Sequence, residues 1–115
     1  MNIDFNQARA KHTFFKTRVR GFLLGSDAST DSFKTYLSEL GDWVNKLASQ
    51  HQLSFNEVME ANYLHNELAA HTNKLITLRS AGREADAKQK FQEIEATGQE
   101  LIKTLSSLEE RINRE

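Results

Sequence analysis

Apolar residues recur along this chain at steps of three and four, the spacing of one face of a helix. Phe5, Ala8, His12, Phe15, Val19 and Phe22 form the first such stripe and predict a helix from about Asp4 to Leu24. The small polar cluster Gly25-Ser26-Asp27-Ala28-Ser29-Thr30 interrupts it and reads as a loop. Ser29 or Thr30 can cap a second helix reaching about Ala48, with Phe33, Leu37, Leu40, Val44 and Leu47 inward and Tyr36 and Trp43 widening that face. Ser54-Phe55-Asn56-Glu57 has the form of a capping box, in which hydroxyl and carboxylate each satisfy the other residue's amide. The third helix then carries Val58, Ala61, His65, Leu68, Thr72 and Leu75 to about Ser80, and Gly82 suits a left-handed C-terminal cap.

The last stripe, Phe91, Ile94, Leu101, Leu105, Leu108 and Ile112, predicts a helix from about Glu84 to Ile112. Gly98 lies within that stripe, where glycine costs about 1 kcal/mol relative to alanine. Room for a bulky neighbour such as Trp43, or a close helix approach, would offset the cost. Four amphipathic helices joined by short polar loops make an all-α, antiparallel up-and-down four-helix bundle, occupying residues 1–115 as a single domain.

Composition sharpens this picture. The chain has no proline and only five glycines, which favours long helices over turn-rich β-structure. It has no cysteine, so a disulfide scaffold, a cysteine-rich zinc module and a thiol nucleophile are excluded. Fifteen Lys+Arg balance sixteen Asp+Glu, so overall charge exerts no pull toward nucleic acid or anionic membrane. No apolar run approaches the ~20 residues that span a bilayer, and Met1-Asn2-Ile3-Asp4 opens without an apolar leader segment. The expectation is a cytoplasmic protein without membrane insertion. A bundle of this size buries about two thirds of its unfolded surface, so a homodimer formed through residual apolar surface is also expected.

Candidate chemistry centres on histidine. His12 and His65 occupy core stripes of two helices, where each could be a buried neutral imidazole; as a pair they are candidate metal ligands, because inward imidazoles in bundles often bind metal. His51 falls in a polar loop. His71 is rotated by about 240° from His65 and reads as a surface residue. The segment His65 to His71 lacks the His-Glu-x-x-His spacing of a zinc-protease helix. Residues 1–20 carry Arg9, Lys11, Lys16, Arg18 and Arg20 against one acid, Asp4. These bases fall on both flanks of the apolar stripe, as stems covering core edges rather than one surface for phosphates, so no nucleic-acid partner is expected. No phosphate-binding glycine loop or nucleophile elbow is present, and the expectation is a non-enzymatic protein.

Several of these residues together resemble a known family. His12-Thr13-Phe14-Phe15 matches its His-x-x-aromatic element, and Leu40-Gly41-Asp42-Trp43 follows as its Leu-Gly-x-Trp. His65 opens the position of its His-x-x-x-His, with 21 residues between Trp43 and His65. The pattern is similar to the chemoreceptor zinc-binding (CZB) domain, and the similarity extends through Leu75 to Gly82 and the long final helix. The family is bacterial and cytoplasmic, attached to chemoreceptors or diguanylate cyclases or occurring alone. The resemblance therefore implies a signal-transduction and chemotaxis module, with a chemoreceptor or diguanylate cyclase-type output protein as attached or separate partner.

Two positions depart from the family. Ser38 stands where it has a cysteine ligand, and Ala69 where it has the second histidine of the pair. Of the implied zinc ligands only His12 and His65 remain, so the resemblance implies no cofactor or weakly bound zinc. The alternatives are a zinc sensor completed by water, by a carboxylate such as Glu39 or Glu67, or by a partner chain, and a metal-free structural helical adaptor. Zinc binding is expected to be weak or absent.

Overall fold

The computed structural model describes residues 5–25, 30–50 and 55–114. Four helices follow in order: α1 (Phe5–Leu23), α2 (Asp31–Gln50), α3 (Phe55–Ser80) and α4 (Glu84–Asn113). Together they form a rod of 49 × 24 × 17 Å. Its length is close to the ~45 Å that a helix of α4's size spans.

Cross-helix contacts establish the direction of each helix. Arg9 near the start of α1 pairs with Glu109 near the end of α4, and Lys16 reaches Glu95. Glu57 at the start of α3 meets Arg111 at the end of α4, and Arg79 at the other end meets Glu84. Phe5 packs on Trp43, while Phe22 packs on Phe33. Each helix therefore runs antiparallel to the next, and α4 returns to close on α1. The antiparallel up-and-down four-helix bundle expected from the hydrophobic stripes is the fold.

The boundaries follow local chemistry. α2 begins one residue after Thr30, whose carbonyl accepts the amides of Phe33 (3.1 Å) and Lys34 (3.4 Å). It continues to Gln50, past the expected end at Ala48. Ser29 and Ser54, the other expected capping residues, lie outside the described residues, as does His51. α3 ends as expected. Gly82 adopts φ +77°, a conformation disfavoured by a Cβ, so that the Gly82 amide reaches the Arg79 carbonyl (3.1 Å) and the Arg83 amide that of Leu78 (2.9 Å).

The core has two textures. Between α1 and α2 it is aromatic: Phe15 stacks on Tyr36 at 4.6 Å and meets Phe33 edge-on at 6.0 Å. Between α3 and α4, the most extensive interface, it is aliphatic, with Leu68, Leu75, Ile94, Leu101 and Leu105 fully enclosed. Thr72 is also fully buried there, and its hydroxyl donates back to the Leu68 carbonyl at 2.7 Å, which satisfies it. Trp43 only flanks this core. It is half-buried against the cluster with its ring edge-to-face on Phe5, although the hydrophobic pattern placed it inward.

Candidate functional site

His12 is buried, 8% exposed, in the interior of α1. Its Nδ1 lies 2.9 Å from the Tyr36 phenol oxygen on α2. The phenol proton is the more acidic of the two, so its O–H donates to the ring nitrogen. The opposite edge of the ring rests on α4 at Gly98, where an added Cβ would fall 2.5 Å from Nε2 and 2.7 Å from the adjoining ring carbon. Gly98 is thus the seat of an imidazole. It does not make room for Trp43, whose ring packs on Phe5 instead.

Burial controls the protonation of this pair. An imidazolium here would lose its hydration, and the nearby Lys16 ammonium repels it as well, so the His12 pKa falls from 6.5 to about 4. The Tyr36 phenol is likewise pushed up by burial, which disfavours its anion. Both groups are neutral across the physiological range.

His65 is arranged differently. It is half-buried at the seam between α2 and α3, and its Nε2 lies 2.7 Å from the backbone carbonyl of Leu37. A carbonyl can only accept, so Nε2 carries the proton and donates it. The Leu37 carbonyl also belongs to the helical ladder, in which the amide four residues on, that of Gly41, is its regular partner. Gly41 leaves that carbonyl uncovered. A Cβ there would lie 3.2 Å from both Nε2 and the adjacent ring carbon. The neighbour of Gly41 is thus an imidazole.

The two candidate ligands thus have separate surroundings, His12 with Tyr36 and Gly98, His65 with Leu37 and Gly41. The other positions that the resemblance singled out do not supplement them. Ser38 is exposed on α2, and Ala69 packs its methyl at the edge of the core. Glu39 is exposed and pairs with Lys11 at 3.0 Å, while Glu67 lies 3.4 Å from His71. Among the described residues, no three histidine or acidic side chains are grouped as metal ligands. With the His12 lone pair taken by the Tyr36 O–H, its far edge closed by Gly98, and no such group of ligands among the described residues, these residues do not fit a four-ligand zinc site.

Other charged residues serve packing. Arg9, Lys16 and Lys11 set their guanidinium and ammonium groups against carboxylates of α4 and α2, so the basic flanks of α1 tie it to both neighbours. His71 is half-buried between Glu67 and Glu93, the latter 3.6 Å from its Nδ1, where a fully surface position was expected. Lys90, hydrogen-bonding Glu93, holds that carboxylate below its usual range.

Two participants carry little sequence signal. Tyr36 reads as one more apolar residue beside Leu37, and nothing local marks its hydroxyl as the partner of an imidazole 24 positions earlier. The Leu37 carbonyl is marked only indirectly, by the glycine four residues later that uncovers it. No helix among the described residues is long and apolar enough to cross a membrane. In comparisons with known proteins, the chain matches no family model, no curated protein and no solved structure.

Proposed function

We propose that this chain is a non-enzymatic signalling module of the chemoreceptor zinc-binding type, working as a cytoplasmic homodimer that passes changes in helix packing to an output protein. The observation that supports it most is the contact between two parts of the motif that suggested the family. Gly41 of Leu-Gly-x-Trp lies directly beneath the His65 ring from another helix. That contact supports an interior whose packing is tuned at the imidazoles. The output partner, on this reading, is a chemoreceptor or diguanylate cyclase-type protein.

Completion of a zinc site by a carboxylate is the weaker reading, because Glu39 and Glu67 are engaged elsewhere. A chimera tests the proposal: this chain replaces the zinc-binding domain of a diguanylate cyclase that carries one. Cyclase output that is retained, and that changes when Gly98 is replaced, is the expected result. Output identical to that of a chimera with an unrelated bundle would sink the signalling reading. Sedimentation should give a mass of about twice the chain's 13.2 kDa.

A further inference from the structure

From the partners of the two imidazoles, we infer that two hydrogen bonds from consecutive positions, Tyr36 and Leu37, latch α2 to both α1 and α3 where the resemblance would put a metal ion. The inference rests on the contacts and not on the signalling reading.

A zinc ion shared by several helices fixes their spacing and register through its ligands. In this chain the same task falls to two bonds that leave α2 in different directions. The Tyr36 phenol reaches back to His12 on α1 at 2.9 Å, and the next residue offers its carbonyl to His65 on α3 at 2.7 Å. One turn of α2 therefore holds both neighbours. Each imidazole is backed by glycine: His12 by Gly98 on α4, and His65 by Gly41 on α2 itself. The first glycine sets how deeply α1 settles on α4, and the second lets an imidazole reach a carbonyl that a side chain would obstruct.

The substitutions at the family's ligand positions agree with this arrangement. A cysteine at 38 would project from an exposed position of α2, and a histidine at 69 would replace a methyl packed beside the core. Neither is needed once both rings are bonded within the protein. The ion and the latch compete at His12, whose Nδ1 lone pair accepts the Tyr36 O–H, whereas His65 donates through Nε2 and keeps its Nδ1 lone pair. A metal held by both rings would have to release the Tyr36–His12 bond.

Nitrogen-detected NMR of the ¹⁵N-labelled full chain, with and without equimolar Zn²⁺, tests the inference. His65 should appear as the Nε2–H tautomer with that proton slowed in exchange, and the His12 ring signals should not move with zinc. Tyr36→Phe should shift the His12 ring and leave that of His65 in place. A His65 ring in the Nδ1–H form, or equimolar zinc shifting both rings, would overturn the inference. The wild-type spectra decide the matter even if the Tyr36 variant fails to fold.

Discussion

The two glycine-seated imidazoles, alike in sequence context, differ in how firmly the protein holds them. His12 is enclosed, touches a glycine that has almost no space to spare, and bonds to a side chain that is itself buried. His65 is half-exposed, touches a glycine whose added Cβ would lie 3.2 Å from the ring rather than 2.5 Å, and bonds to backbone. The first seat is a packing constraint with an electrostatic consequence, because solvent cannot hydrate a charged ring there. The second is a hydrogen-bonding position with solvent at its edge. Identical residue pairs thus produce a rigid joint between α1 and α4 and a more tolerant one between α2 and α3.

Acid should separate the two seats most strongly. Between pH 6.5 and about 4, His12 of the unfolded chain takes up a proton that the folded chain refuses. Stability contributed by this group is complete above that window, falls as pH is lowered through it, and has no further to fall below about pH 4. The loss is about 3 kcal/mol. Urea unfolding from pH 7 to 4 should show it, and His12→Gln should unfold with a correspondingly flatter acid dependence. Equal slopes for the two chains would mean that His12 is hydrated in the folded state.

Gly98→Ala comes next. The methyl would fall 2.5 Å from Nε2 of a buried ring, forcing α1 or the imidazole to move. Overpacking of this kind costs about 1–3 kcal/mol, against a helix-propensity gain of about 1 kcal/mol, so a net loss of up to about 2 kcal/mol is expected in denaturant unfolding. Removing the phenol hydroxyl with Tyr36→Phe should cost about 1 kcal/mol, the value of one buried hydrogen bond, while the stacking on Phe15 is kept. Gly41→Ala should be the mildest change. Its methyl meets a half-buried ring at 3.2 Å that can give way toward solvent, so thermal unfolding should shift by no more than about 0.5 kcal/mol in either direction. A larger loss than for Gly98→Ala would invert the proposed ranking of the two seats.

How much of this was legible in the amino-acid pattern depends on the range of the interaction. Four stripes of period 3.6 specified the helices and the bundle, because each stripe is a local property of 20 to 30 residues. The Gly82 cap was legible for the same reason, since a left-handed residue at a helix end is settled within one turn. His12 and His65 were recognisable as inward imidazoles from their place in the stripes. Their partners were not, because periodicity says which face a residue occupies but not which residue stands opposite. Gly98 was identified as a gap in an apolar stripe, yet what fills the gap depends on the vertical offset of α1 against α4, which ion pairs such as Arg9–Glu109 and Lys16–Glu95 help to set. Trp43 lies at the edge of its stripe, and an edge position is buried or half-buried according to how wide the neighbouring helix is. Tyr36 shows the limit most clearly, since a phenol in a core stripe announces its ring and conceals the partner of its hydroxyl.

The central claim is that His12 and Gly98 form one joint, and a double-mutant cycle between them tests it most directly. His12→Ala, Gly98→Ala and the double variant are compared with the natural chain by urea unfolding at pH 7. If the ring occupies the glycine's missing side chain, Gly98→Ala destabilises the natural chain but becomes neutral or stabilising once His12 is alanine, with a coupling of about 1–3 kcal/mol. Additive effects, agreeing within about 0.5 kcal/mol, would show that the ring and the glycine do not meet and would contradict the account.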